Sequence, residues 1–399
     1  MSDVERARVL TTKGAVTTET RVVSVLVSLL TIGLVDNQLL AAILPDIART
    51  LSASEVAVGR TVVGYAIAAA IAALIVGPLS DAWGRRSFLV AAGAVFGVGS
   101  VFAVVAPTFM LFIVARVVTG GAAGIISALV VAAIADVVPY HRRGRAMGWV
   151  AAAYFAAPTL GVFFATWIAA RAGWRANYVL FAAVSAIATL AVALWFDEPT
   201  REHRAVRSAR DYVRFLRERS TAAGALSAFF VTGGLTGFLL FLPAYLRARY
   251  GLSVTDVGLV FVLSGVASLI GALSAGWLAD RVGKLRVALA GSAALAFFLI
   301  VVPETGGAPL YLTLGLVGVA AAARVAPLQS LVTQLVTAEE RGAYVALRNT
   351  LSQCGSAAAA ALASALYGFG YQYVCHMTSA FSITALVLLL LIDEPVAET

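Results

Sequence analysis

Two short stretches decide the fold: Gly77-Pro78-Leu79-Ser80-Asp81-Ala82-Trp83-Gly84-Arg85-Arg86 and Gly276-Trp277-Leu278-Ala279-Asp280-Arg281-Val282-Gly283-Lys284. The second begins half a chain length after the first, and each closes one long apolar run and opens the next. Two further pairs keep step. Arg143-Gly144 follows Gly77 at nearly the interval by which Arg341-Gly342 follows Gly276, and the offset from Pro45 to Pro243 almost equals that between the two loops. Self-similarity at half the chain length predicts two halves of one design.

Of the 399 residues, 61% are hydrophobic and 13% charged, about half the charged share of a soluble domain. That leaves too few polar side chains to clothe a soluble globule of this size. A bilayer core needs about 20 apolar residues per crossing helix. Runs of that kind fall at 22–44, 57–79, 87–106, 109–137, 146–169 and 175–196 (spans 1–6), and at 222–246, 254–279, 287–303, 309–337, 342–368 and 371–392 (spans 7–12). The reading is an all-α polytopic membrane protein, with twelve transmembrane helices in two pseudo-symmetric six-helix bundles. Its parts are a tail (1–21), a first bundle (22–197), a linker (198–220), a second bundle (221–393) and a short C-terminal tail (394–399).

With the N-terminus inside, the cytoplasmic segments hold 20 of the 29 Lys and Arg residues, which fits the positive-inside rule and places both termini in the cytoplasm. The net charge of +8 is then a topology signal. Nucleic-acid binding, the competing reading of a basic chain, lacks a reading module, because the charges are dispersed over short loops. The polar residues 1–21 lead into an apolar run longer than a signal-peptide core, so no cleavage is expected. Cys354 and Cys375 read as buried free thiols, although neighbouring spans would let them pair. No cysteine–histidine cluster has metal-ligand spacing, and no nucleotide-binding loop occurs, so no metal or cofactor is expected. In the linker, Val206, Ala209, Val213 and Leu216 recur at helical spacing among seven arginines, which suits a helix on the inner leaflet or a solvated tether.

In the duplicated loop, Gly77 and Gly84 (Gly276 and Gly283 in the second copy) permit close helix approach and a tight turn. Asp81 and Asp280 suit the positive end of a neighbouring helix dipole. Arg85, with Asp136, Arg143 and Arg341, reads as an inner-side charge network. The alternative is a turn that only fixes topology. Charges inside spans are costly and point to function. Asp36 is the one acidic residue in the middle of any span; burial and a nearby cation act on its proton affinity in opposite directions, so it can titrate near working pH. Arg116 lies at matching depth in span 4 and is its expected partner, either for coupling or as a purely structural ion pair. Arg324, at mid-depth in span 10 before Pro327 and Gln329, reads as a ligand for an anionic substrate group, a partner of Asp36, or a structural bond to a carbonyl exposed by Pro327. Arg348 is expected to snorkel or to pair with Asp81.

Taken together, these motifs resemble the major facilitator superfamily of secondary transporters from about Arg21 to Asp393. Leu34-Val35-Asp36-Asn37-Gln38 resembles the first span of drug:proton antiporters, and Arg116-Val-Val-Thr-Gly120 resembles the span-4 motif associated with proton coupling. Gly148 with Ala156-Ala157-Pro158-Thr159-Leu160-Gly161 resembles the span-5 antiporter signature, although two of its glycines are alanines and its last is Val162. The resemblance implies alternating access, with the loop motif bracing the two bundles on the inner side when the protein is open outward. Asp81 would then dock near the start of span 11, Asp280 near the start of span 5. It further implies a central cavity lined by spans 1, 4, 7 and 10. Asp36, Asn37, Arg116, Arg324 and Gln329 are its polar candidates, and Tyr65, Tyr154, Phe238, Phe241 and Tyr245 its aromatic ones, each of which could equally face lipid or a helix interface. The expected protein is a monomeric, non-enzymatic exporter in a bacterial or archaeal plasma membrane, exchanging protons for small amphipathic organic compounds. Alternatives are an exporter or uniporter of organic anions or lysolipid-like amphiphiles, and a transporter-like sensor without flux.

Overall fold

The computed structural model describes residues 3–138, 140–196, 214–332, 334–337 and 340–393; within these, the side chains of residues 3–18, Pro78, Asp81, Ala82, 141–145, Arg341, Gly342 and a few others lie outside the description. Every regular element is helical among the described residues. Span 1 is one helix, Asp3–Thr50, that takes in the N-terminal tail. Spans 2, 3 and 4 are Glu55–Trp83, Arg85–Val105 and Phe109–Val137. Span 5 runs Tyr140–Ala156, a π turn Ala157–Gly161, then Val162–Ala172; span 6 is Arg175–Trp195. Spans 7 to 12 are Arg219–Tyr250, Val254–Val282, Lys284–Val301, Ala308–Val332, Arg341–Tyr367 and Tyr371–Leu389.

Ten of these helices are long and apolar enough to cross a bilayer singly, and the bent halves of span 5 make an eleventh crossing. Span 11 is the twelfth: at 27 residues it has the length, about 40 Å, but it carries a polar run from Arg348 to Ser356 that lowers its hydropathy. The outer faces are apolar and exposed, as at Leu273 (70%) and Ile187 (69%), which in a membrane protein is the lipid-facing surface.

The repeat is visible in how the helices begin and end. Ser54 and Ser253, related by the same offset as the two loops, cap spans 2 and 8 through their side chains, and the second completes a capping box with Asp256. At the other end of the same helices, Gly84 (φ 95) and Gly283 (φ 102) turn the chain in a conformation that only glycine adopts without strain. The motif loops thus sit at equivalent ends of the two halves, and we call that end the motif face. Within each half, glycines bring backbones together. A Cβ on Gly120 or Gly124 of span 4 would lie 2.5 or 2.3 Å from a carbonyl oxygen of span 2, and Gly318 of span 10 stands in the same relation to Ser264 of span 8, at 2.7 Å.

Among the described residues, the side-chain contacts between the halves lie mainly away from the motif face. Asp46 accepts two hydrogen bonds from Arg247 (2.8 and 3.2 Å), joining the far ends of spans 1 and 7. Tyr367 donates to Glu55 (3.3 Å), joining spans 11 and 2. Gly59 admits the Phe241 ring, and Gly258 and Gly265 of span 8 admit Thr166 and Thr159 of span 5. Toward the motif face, by contrast, Gly77 and Gly276 have nothing within 4 Å of an added Cβ. Among the described residues the expected close approach at these two glycines is not made in this conformation, whereas the tight turns at Gly84 and Gly283 are. Asp280 is exposed. The docking expected of Asp81, and the roles of Arg143 and Arg341, concern side chains outside the described residues.

Candidate functional site

The first half builds its site around one carboxylate. Gly161, in the π turn that Pro158 helps to force by lacking an N–H, lets span 5 press on Val35 of span 1, where an added Cβ would lie 2.4 Å from Val35 Cγ2. The next residue, Asp36, meets Arg116 as the depth count predicts: Arg116 Nη1 donates to Asp36 Oδ1 at 2.6 Å, and neither side chain is more than 1% exposed. Gly120 explains the spacing of its motif. It sets span 4 against the Tyr65 backbone, so that Arg116, one turn away, lies under the Tyr65 ring with its guanidinium carbon 4.4 Å from the centroid. The Tyr65 hydroxyl donates to the Gly33 carbonyl (3.3 Å). Phe112, Trp174 and Tyr178 pack edge to face beside the pair and seal it. Asp36 Oδ2 and Arg116 Nε and Nη2 make no further hydrogen bond among the described residues. The arrangement is a buried ion pair, with the Tyr65 and Tyr178 hydroxyls beside the carboxylate and the guanidinium respectively. Asn37, the next candidate, is half-buried on span 1.

The second half departs from expectation. Arg324 neither pairs with Asp36 nor lines a cavity. It is wholly buried, donating to the Val231 carbonyl of span 7 (3.0 Å) and weakly to Ser382 of span 12 (3.5 Å), and no ion pair among the described residues includes it. The carbonyl that receives it belongs to span 7, not to the turn freed by Pro327. Arg348 does not snorkel. It is 8% exposed and donates to the Gly224 carbonyl (3.1 Å) and to Gln329 Oε1 (2.9 Å), which ties up one acceptor of that candidate ligand. Phe238 and Phe241 are buried and pack on Tyr371 and Tyr367, so they seal the far end and do not line an open cavity; Tyr245 stacks on Tyr371. Tyr154, in contrast, is 46% exposed. Cys375 is buried and Cys354 exposed, and both are free thiols, which corrects the expectation for Cys354.

At the motif face, Arg85 meets Asp136 at 2.9 Å, and Arg86 donates to the Ala193 carbonyl, so the basic end of the first motif is anchored within its own half. Arg281 of the second copy covers Trp277. Two sets of polar residues escaped the sequence reading. One is the far-end pair Asp46 and Arg247, for which a signal existed: opposite charges just beyond the equivalent prolines Pro45 and Pro243. The other is a pair of hydroxyl bridges between spans 7 and 11, from Ser352 to Thr232 (2.6 Å) and between Thr236 and Ser356 (3.1 Å). Their signal is a matched one-turn spacing on each helix.

Twelve crossings in two like halves, with a buried ion pair inside one half and a seal at one end, define a polytopic membrane transporter fold. The chain belongs to the Major Facilitator Superfamily, whose family model matches residues 26–253 and 224–399. It is similar to the inner membrane transport protein YdhP of Escherichia coli, 28% identical over 368 residues, which are 90% of this chain and 92% of that one. A multidrug resistance protein B homolog of Mycobacterium tuberculosis is 22% identical over 382 residues, covering 80% of this chain and 71% of that one. Another curated relative is matched over only 62% of its own length. Among solved structures, the human organic anion transporter MFSD10 (TETRAN) has the same fold, with a TM-score of 0.73 and 19% identity over 93% of this chain and 99% of that one.

Proposed function

We propose that this major facilitator works by alternating access as a proton-coupled exporter of small amphipathic organic compounds, with the motif face cytoplasmic. The observation that carries the reading is the Asp36–Arg116 pair. Asp36 is the one carboxylate in the middle of a span, buried and held at 2.6 Å from an equally buried arginine beside the bend of span 5. Protonating Asp36 removes the charge that compensates Arg116, so the pair has two electrostatically distinct states that can be tied to two arrangements of the halves. With contacts between the halves at the far end and open space around Gly77 and Gly276, the conformation on this reading is one open to the cytoplasm, in which a bracing role for the loop motif would be disengaged. The similarity to a multidrug resistance homolog supports export of organic compounds. The organic-anion alternative leaned on Arg324 as a cavity cation, and its burial against Val231 removes that support.

The test is flux in proteoliposomes of the purified protein under an imposed pH gradient. Gradient-driven accumulation of an organic substrate, lost in a folded Asp36→Asn variant and kept in Asp36→Glu, is the expected result. Uphill transport that survives Asp36→Asn would sink the coupling role, and no flux under any gradient would return the sensor reading.

A further inference from the structure

We propose that the hydroxyl bridges between spans 7 and 11 form the second half's wall of the substrate site, and that this wall takes an uncharged, hydrogen-bonding head group. The proposal rests on the transporter reading above and deepens it.

Hydroxyls inside apolar helices ordinarily satisfy themselves by donating to a carbonyl three or four residues back. That is what Ser28, Thr31, Ser268, Ser292, Ser364 and Thr384 do here. Thr232, Thr236, Ser352 and Ser356 do not. Among the described residues they make no bond to their own helix and instead meet across the helix pair, at 2.6 and 3.1 Å. A hydroxyl has one proton and two lone pairs. Each bridge uses one proton, so each leaves a second proton and further lone pairs for a third group.

The helix period shows where they point. Positions a whole number of turns apart, at about 3.6 residues per turn, share one face of a helix. Ser356 stands three turns before Tyr367, and Gln353 three turns before Ser364; Tyr367 and Ser364 both meet span 2 of the first half. On span 7, Thr236 stands three turns before Arg247, which meets Asp46. The bridges therefore lie on the faces that close against the first half at the far end, displaced toward the motif face, where the halves separate. Thr232, Thr236, Ser352, Asn349 and Gln353 are all half-buried there. Every one of these groups is neutral. The ionisable side chains nearby are committed elsewhere, Arg324 to Val231 and Arg348 to Gly224 and Gln329. In the first half, Asp36 and Arg116 compensate each other.

The experiment uses full-length protein in nanodiscs with Cys354→Ser and Cys375→Ser as background and Thr236→Cys as reporter. Modification by a membrane-impermeant methanethiosulfonate is followed in the presence of three naphthalene probes that differ only in a neutral diol, a carboxylate or a trimethylammonium head. The expected result is ready modification, slowed at least fivefold by the diol and less than twofold by the charged probes. In the native background, Thr236→Val with Ser356→Ala should weaken diol binding at least fivefold, and Thr384→Val should leave it unchanged. A reporter that stays unmodified would make the bridges helix–helix glue and overturn the assignment. Stronger protection by either charged probe, or none by any probe, would overturn it equally. Diol protection in a protein that fails the pH-gradient flux test would keep this site and discard only the coupling reading.

Discussion

Arg116 and Arg324 are both wholly buried arginines in mid-span, yet they are compensated differently, and substitution should separate them. Arg116 sits against a carboxylate, and breaking a buried ion pair by removing one partner costs about 3–5 kcal/mol, because the other charge stays behind. Arg116→Met should therefore lower the apparent melting temperature in detergent markedly, and Asp36→Asn in the same chain should restore much of it. The coupling read from that double-mutant cycle is the check. Arg324→Met removes a buried cation that only a carbonyl and a serine receive, so it should cost less than Arg116→Met. The depth of the Asp36–Arg116 meeting was legible by counting residues from the same end of two spans. The partner of Arg324 was not, because a backbone carbonyl as acceptor leaves no mark in a sequence. Its charge at mid-depth in an apolar span did single it out as a residue needing its own explanation.

Among the elements, the motif turns and span 5 show how much a few residues set. Gly84→Ala or Gly283→Ala places a side chain at a strongly positive φ and should destabilise by about 1–2 kcal/mol, seen as a lower melting temperature. Gly77→Ala, with open space around it, should leave stability in this conformation unchanged. Equal losses at the two positions would mean the motif glycines serve packing in this state and not the turn. The helices themselves were readable from apolar run length and the repeat. Span 5 was readable as a crossing but not as a bent one, since a proline in a helix can be absorbed without a break; here the halves differ in direction by 49°. The hydroxyls of spans 7 and 11 went unread for a related reason. A serine that bonds its own helix and one that reaches a neighbour look alike in sequence.

Across the whole molecule, the far-end seal should bias the balance between the two arrangements of the halves. The Asp46–Arg247 pair is bidentate but about one-fifth exposed, which places its worth near 1–2 kcal/mol after solvent screening. Arg247→Ala should then shift the population about five- to thirtyfold toward the alternative state. Spin labels on the far ends of spans 1 and 7, read by pulsed dipolar spectroscopy, should report a longer distance. An unchanged distance distribution would confine the pair to surface chemistry.

The end of the linker belongs to the second half. Phe215 packs on Tyr344, Arg214 meets Glu340 at 3.1 Å, and Thr221 donates to the Phe215 carbonyl. The second bundle thus carries its own N-terminal anchor and does not need the covalent link to hold it. Severing the polypeptide between residues 200 and 212 and co-expressing the fragments should give two pieces that co-purify without a peptide bond between them. Reassembly would make this transporter a two-part tool, in which each half can be labelled, mutated or exchanged alone. With Phe215→Ala the yield of the reassembled pair should fall.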